Sequence, residues 1–152
     1  TSSSQAMLDP LIFSLIIEKG SKEELFELRV LLEVDAIELT IKKATADDLV
    51  VLEEDLNQFE TSIQDGNLER LSQLDLQFHM HLLEFSKNPS FARICKTVMQ
   101  LFAYPMRNAL EQIGAERVLK NHRALYQAIV DRDLLRAKEH LIKAYESFRE
   151  YL

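Results

Sequence analysis

The chain has 152 residues, of which 47% are apolar and 28% charged, with a net charge of −7. That length suits one domain with a substantial core and is too short for two comfortable ones. An acidic chain without a cluster of lysine and arginine is a poor nucleic-acid binder by itself, and its one cysteine, Cys95, leaves no intrachain disulfide to form and suits a reducing cytoplasm.

Helix formers dominate, and only three glycines and three prolines interrupt them. The chain starts Thr-Ser-Ser-Ser without a methionine, which reads as a fragment. A first short helix is predicted over about 10–19. Its apolar run, Leu11 to Ile17, is too short to cross a bilayer and lacks the flanks of a signal peptide, so no membrane partner is expected. After Gly20, Ser21 is a good N-cap with Glu24 three residues on, and the second helix runs to about residue 44. The third follows Thr45 and ends near 63, with Leu49, Leu52, Leu56 and Phe59 at helical spacing. Gly66 marks a turn, and the fourth helix covers about 67–85. The fifth covers about 88–113, with Pro89 in its first turn and a kink or break near Pro105. Beyond Gly114 come a sixth helix over about 115–130 and a seventh over about 131–151. No stretch alternates long enough for a convincing strand. Joints this short make neighbouring helices antiparallel. The expected fold class is all-α, an antiparallel bundle of six to seven helices with an enclosed interior.

Polar groups on apolar faces mark the candidate site. On the fourth helix, Asp75 and His79 sit four apart at the edge of the stripe Leu68, Leu71, Leu74, Phe78, Leu82 and Phe85. His122 takes a core position among Val118, Leu125 and Ile129, and His140 lies beside Ala137, Leu141 and Ala144. His81 is about 160° around the helix from His79 and should point away. Singly, each histidine reads as a hydrogen-bonded core residue and Asp75 as half of an ion pair. Together they point to one divalent ion, because a buried carboxylate and several buried imidazoles must all be satisfied at once. Imidazole and carboxylate suit Zn, Ni, Mn or Fe and not Ca. Arg29 and Glu33, four apart on the second helix, are either a solvated pair or an inward arginine that holds a carboxylate ligand.

Four separate blocks resemble the FadR-type C-terminal domain, or FCD domain, of GntR-family bacterial transcription regulators. They are Glu27 to Glu33, Leu74 to His79 followed by Asn88-Pro89, Asn121 to Ile129, and Asp133 with Ala137 ahead of His140. The resemblance implies that Asp75, His79, His122 and His140 hold one metal ion, Zn or Ni first and Mn or Fe next. It implies that a small organic acid binds in the same cavity, with Arg29 and Asn88 as candidate effector contacts, though Asn before Pro is also a plain N-cap. It also implies a homodimer in the cytoplasm and an N-terminal winged helix-turn-helix domain that binds operator DNA. Nothing in this chain looks like that domain. Residues 1–20 are read as a remnant of the linker or leading helix after it, and 21–152 as the ligand- and metal-binding domain.

The expected function is effector sensing, not catalysis. In that expectation a bound acid changes how the helices sit, and paired domains pass the change to operator binding. A metal-dependent hydrolase or oxygenase is the alternative, with Glu33 the one nameable general base. A purely structural helical module, with the histidines as core residues, is a further alternative.

Overall fold

A computed structural model describes residues 22–151, apart from the side chain of Tyr104. The helix expected over 10–19, its turn at Gly20 and the cap at Ser21 lie outside the described residues. Helix α1 spans Lys22–Lys43, with Glu23 and Glu24 in its first turn and Lys42 and Lys43 in its last, each sign at the end the helix dipole favours. Helix α2 spans Ala46–Ile63 and opens with a reciprocal cap. Asp48 N–H donates to Thr45 Oγ1 at 3.2 Å, and Thr45 N–H donates to Asp48 Oδ2 at 2.9 Å. Helix α3 spans Leu68–Phe85 behind the cap Asn67, and α4 spans Pro89–Gln100 behind Asn88.

The fifth predicted helix is two helices. α4 ends at Gln100 and α5 spans Ala103–Ile113. The break falls at Leu101 and Phe102, and Pro105 sits within the first turn of α5, where a missing N–H costs nothing. A helix running through would have set the proline ring against the Leu101 carbonyl. Helix α6 spans Ala115–Val130 and α7 spans Leu134–Phe148, closed by a 3₁₀ turn over Arg149–Tyr151. No strand occurs among the described residues.

The helices close a ring in the order α1, α3, α2, α6, α7 and back to α1, while α5 lies against α3 and α6. The principal core fills the middle with Ile37, Leu52, Leu56, Leu74, Phe78 and Ile129, among others, all nearly devoid of exposure. A second cluster, Ala36, Leu83, Ala92, Cys95 and Met99, pins α4 onto α1 and α3. Thr40 Oγ1 donates to the Leu82 carbonyl at 2.8 Å in the buried seam between α1 and α3. Among the described residues no helix is long and apolar enough to cross a membrane.

Candidate metal and effector site

α3 brings two polar side chains inward. Asp75 and His79 are both buried although they flank an apolar stripe, and the burial follows from their spacing with Leu71, Leu74, Phe78 and Leu82. α6 presents His122 from the other side, its ring edge-to-face with Phe78 at 4.9 Å between centroids. His122 Nε2 lies 3.1 Å from Asp75 Oδ1 and 3.1 Å from His79 Nε2, and His79 Nε2 lies 3.6 Å from Asp75 Oδ1. One ligand atom from each of the three residues falls within 4.8 Å of the others.

The outer ring nitrogens settle which atoms face inward. His122 Nδ1 is 2.7 Å from the Val118 carbonyl, which only accepts, so Nδ1 carries the proton. His79 Nδ1 is 3.2 Å from Glu33 Oε1, an ion-pair distance to an oxygen without a hydrogen bond, and an anion that close favours the proton on Nδ1. In the neutral rings both Nε2 lone pairs then face each other and Asp75 Oδ1, a buried oxygen without a hydrogen-bond donor. Three electron-rich atoms facing one point repel unless a cation lies among them. A proton can serve. Burial would lower the His79 pKa, but Glu33 and Asp75 outweigh burial and push it up to about 9. Burial would likewise raise the Asp75 carboxyl, and the His122 and His79 rings hold it far below the usual range. A divalent transition metal fits the same three atoms, and the Glu33–His79 contact is the carboxylate–histidine support such ligands use.

His140, on α7, lines the same cavity but is not among the three whose ligand atoms converge. Arg29 is inward and 97% buried, which decides between its two readings: it is no solvated pair. Its Nη2 lies 3.6 Å from Glu33 Oε1, and its guanidinium carbon lies 4.9 and 4.8 Å from the ring centroids of Phe102 and Tyr145. Burial would raise the Glu33 carboxyl, and Arg29 and His79 reverse that and lower it. Asn88 stands apart. It is exposed, it does not line the cavity, and its side-chain oxygen accepts from Phe91 N–H at 3.1 Å as the α4 cap. In this structure Asn88 is seen as a helix cap, outside the lining of the cavity.

Open space in the cavity amounts to about 590 Å³, with the solvent at its mouth included. Much of the rest of its lining is apolar and aromatic, with Phe26, Met106, Leu125 and Phe148 among it. Sequence reasoning missed Tyr145, whose buried hydroxyl has no partner, and Asn121 on the cavity wall. It also missed the partner of His81. That ring turns away from the cluster and meets the buried Asp55 at 2.5 Å, and Gln77 Nε2 donates to the same carboxylate at 2.6 Å.

Fold and site together define an all-helical bundle domain with an imidazole–carboxylate cluster on the wall of a largely apolar cavity. The FCD domain model matches residues 24–146, and the chain belongs to the FCD domain family. It is 27% identical over 132 residues to the uncharacterized HTH-type transcriptional regulator YdhC of Bacillus subtilis (strain 168), covering 86% of this chain and 59% of that protein. It is 26% identical over 126 residues to the HTH-type transcriptional regulator LutR of the same organism, covering 79% and 57%. The chain thus spans about three fifths of the length of these curated relatives. Among solved structures it resembles Streptococcus agalactiae GntR, with a TM-score of 0.76 and 28% identity over 94% of this chain and 65% of that one. E. coli McbR/YncC, at 17% identity and a TM-score of 0.73 over 87% and 68%, shares the fold. The family and these relatives are transcription regulators, not enzymes.

Proposed function

We propose that this chain is the effector-sensing domain of a cytoplasmic GntR-family transcription regulator, and that it holds one divalent transition metal and a small carboxylate in the same cavity. The observation that carries the reading is the convergence of His79 Nε2, His122 Nε2 and Asp75 Oδ1 on one point, with both outer nitrogens already engaged. In this reading Asp75, His79 and His122 are ligands, and His140, on the wall of the same cavity, supplies the fourth. A bound metal would contribute positive charge to a largely apolar cavity, beside that of Arg29. Arg29 is held by two aromatic faces and steadied by Glu33, so its guanidinium is pre-aimed at an anion. Phe26 and Phe148 add aromatic surface to the same cavity.

Regulation follows from position. The cavity is walled by α1, α3, α5, α6 and α7, so an acid that binds there favours one arrangement of these helices over another. In the longer protein, that choice is passed through a homodimer to an N-terminal winged helix-turn-helix domain and its operator. The acidic charge of this chain fits a division of labour in which the absent domain contacts DNA.

The test is elemental analysis of the untagged chain beside its His122→Ala and His140→Ala variants. About one equivalent of transition metal is expected in the parent, lost in His122→Ala and reduced in His140→Ala. A parent that takes up no zinc, nickel, manganese or iron on reconstitution overturns the metal assignment.

A further inference from the structure

The walls of the cavity are unequal in a way that narrows its ligand. Among the described residues that line it, Arg29 and Asp75 are the charged side chains other than histidine. Arg29 offers an Nε–H with no partner, and Tyr145, 95% buried, offers a hydroxyl with none. Two unpaired donors on buried side chains in one cavity are costly unless an acceptor meets them. The rest of the wall is hydrocarbon and ring. Phe26 meets Tyr145 edge-to-face at 5.7 Å and Phe148 lies 6.1 Å from it, so the donors share the cavity with an aromatic lining.

Charge counting sets the valence of the ligand. Arg29 is balanced by Glu33 beside it, and Asp75 balances half of a divalent ion on the histidine cluster. One positive charge is left. A single carboxylate neutralises it, whereas a second or third carboxylate would lie against the apolar wall with no cation to meet it.

Resting on the metal-dependent sensing proposed above, we infer that the cavity selects acids with one carboxylate and a short apolar or aryl tail. The carboxylate meets the residual charge of the ion and accepts from Arg29 and Tyr145, and Phe26, Met106, Leu125 and Phe148 take the tail. Di- and tricarboxylates are rejected, and the Tyr145 hydroxyl is a specificity-determining contact.

The experiment is calorimetric titration of the zinc-loaded chain with butanoate, phenylacetate, succinate and citrate, with retained zinc measured after each. Butanoate or phenylacetate should bind at least about tenfold more tightly than succinate and citrate, since an uncompensated buried charge costs at least that much. Removing Arg29 strands the buried Glu33 and threatens the fold, so the second arm uses Tyr145→Phe, which keeps the ring and deletes only the hydroxyl. That variant should keep its zinc and lose about tenfold in monocarboxylate affinity. Succinate or citrate binding as tightly as the monocarboxylates overturns the selectivity and leaves carboxylate sensing standing. Unchanged affinity in Tyr145→Phe overturns the placement of the carboxylate. Failure of all four acids with zinc retained overturns carboxylate sensing itself, and the inference with it.

Discussion

His79 and His122 each have one ring nitrogen facing an outer partner and one facing the cluster, and the outer partner is what makes the inner nitrogen useful. Glu33 does this for His79, and the Val118 carbonyl does it for His122. Glu33→Gln keeps the shape but removes the anion that favours a proton on Nδ1. The variant is expected to bind zinc about 10- to 100-fold more weakly with an unchanged helical circular-dichroism spectrum; equal affinity would show that Glu33 serves only Arg29. Proton and metal also compete for His79. With its pKa raised to about 9 in the folded, metal-free chain, against 6.5 unfolded, His79 contributes stability that is fully present below about pH 6.5 and lost as pH rises through about 9. Thermal melts of the chelated chain across that window should show the decline, and His79→Gln should flatten it. At this scale Asp75, His79 and His122 were legible because a polar residue at a helical core spacing stands out. Glu33 was legible only as Arg29's neighbour four residues on, since spacing along α1 says nothing of which helix α1 faces.

At the level of the helices, caps and breaks follow local chemistry, and most were readable. Thr45, Asn67, Asn88 and Asp133 each accept a backbone N–H as the residue types foretell. The C-terminus of α1 is different. Its last carbonyls are met from a distant joint: Arg132, at φ 55°, donates Nη1 to the Ile41 carbonyl at 2.5 Å and Nη2 to the Ala44 carbonyl at 2.8 Å. A cation there also suits the negative end of the helix dipole. Arg132→Ala carries a similar positive-φ strain and removes only the side chain. It should cost about 1.5 kcal/mol, a fall in Tm of about 3 to 6 °C. No change in Tm would show that water replaces the cap. Nothing in the Asp131-Arg132-Asp133 sequence pointed to this bond, which spans about ninety residues.

For the whole molecule, the cluster ties helices that are far apart in sequence. Asp75 and His79 belong to α3, His122 to α6, and Glu33 carries the network to α1. A metal bound only by the folded state stabilises by mass action. Zinc held at about 100 times its Kd should add about 2.7 kcal/mol, and chelation should lower Tm by about 6 to 10 °C. An unchanged Tm on chelation would mean that the three ligands cohere through protons alone. The same network explains how a ligand in the cavity can be felt across the bundle, because five helices share its wall.

Periodicity and punctuation along the chain determined the helical class, most helix boundaries and the inward placement of Asp75, His79 and His122, because those depend on residues three and four apart. The place of the break between α4 and α5 and the true partners of the polar groups did not follow from spacing. Tertiary structure decided that Arg29 is buried against two rings, that Asn88 caps α4 outside the cavity lining, and that His140 shares the cavity but stands off from the converged three. It decided too that Tyr145 leaves a hydroxyl unpaired beside Arg29. The physical reason is that a helix's own pattern states which face turns inward, whereas the identity of what it meets there depends on how separate helices pack, and that is not written in any one of them.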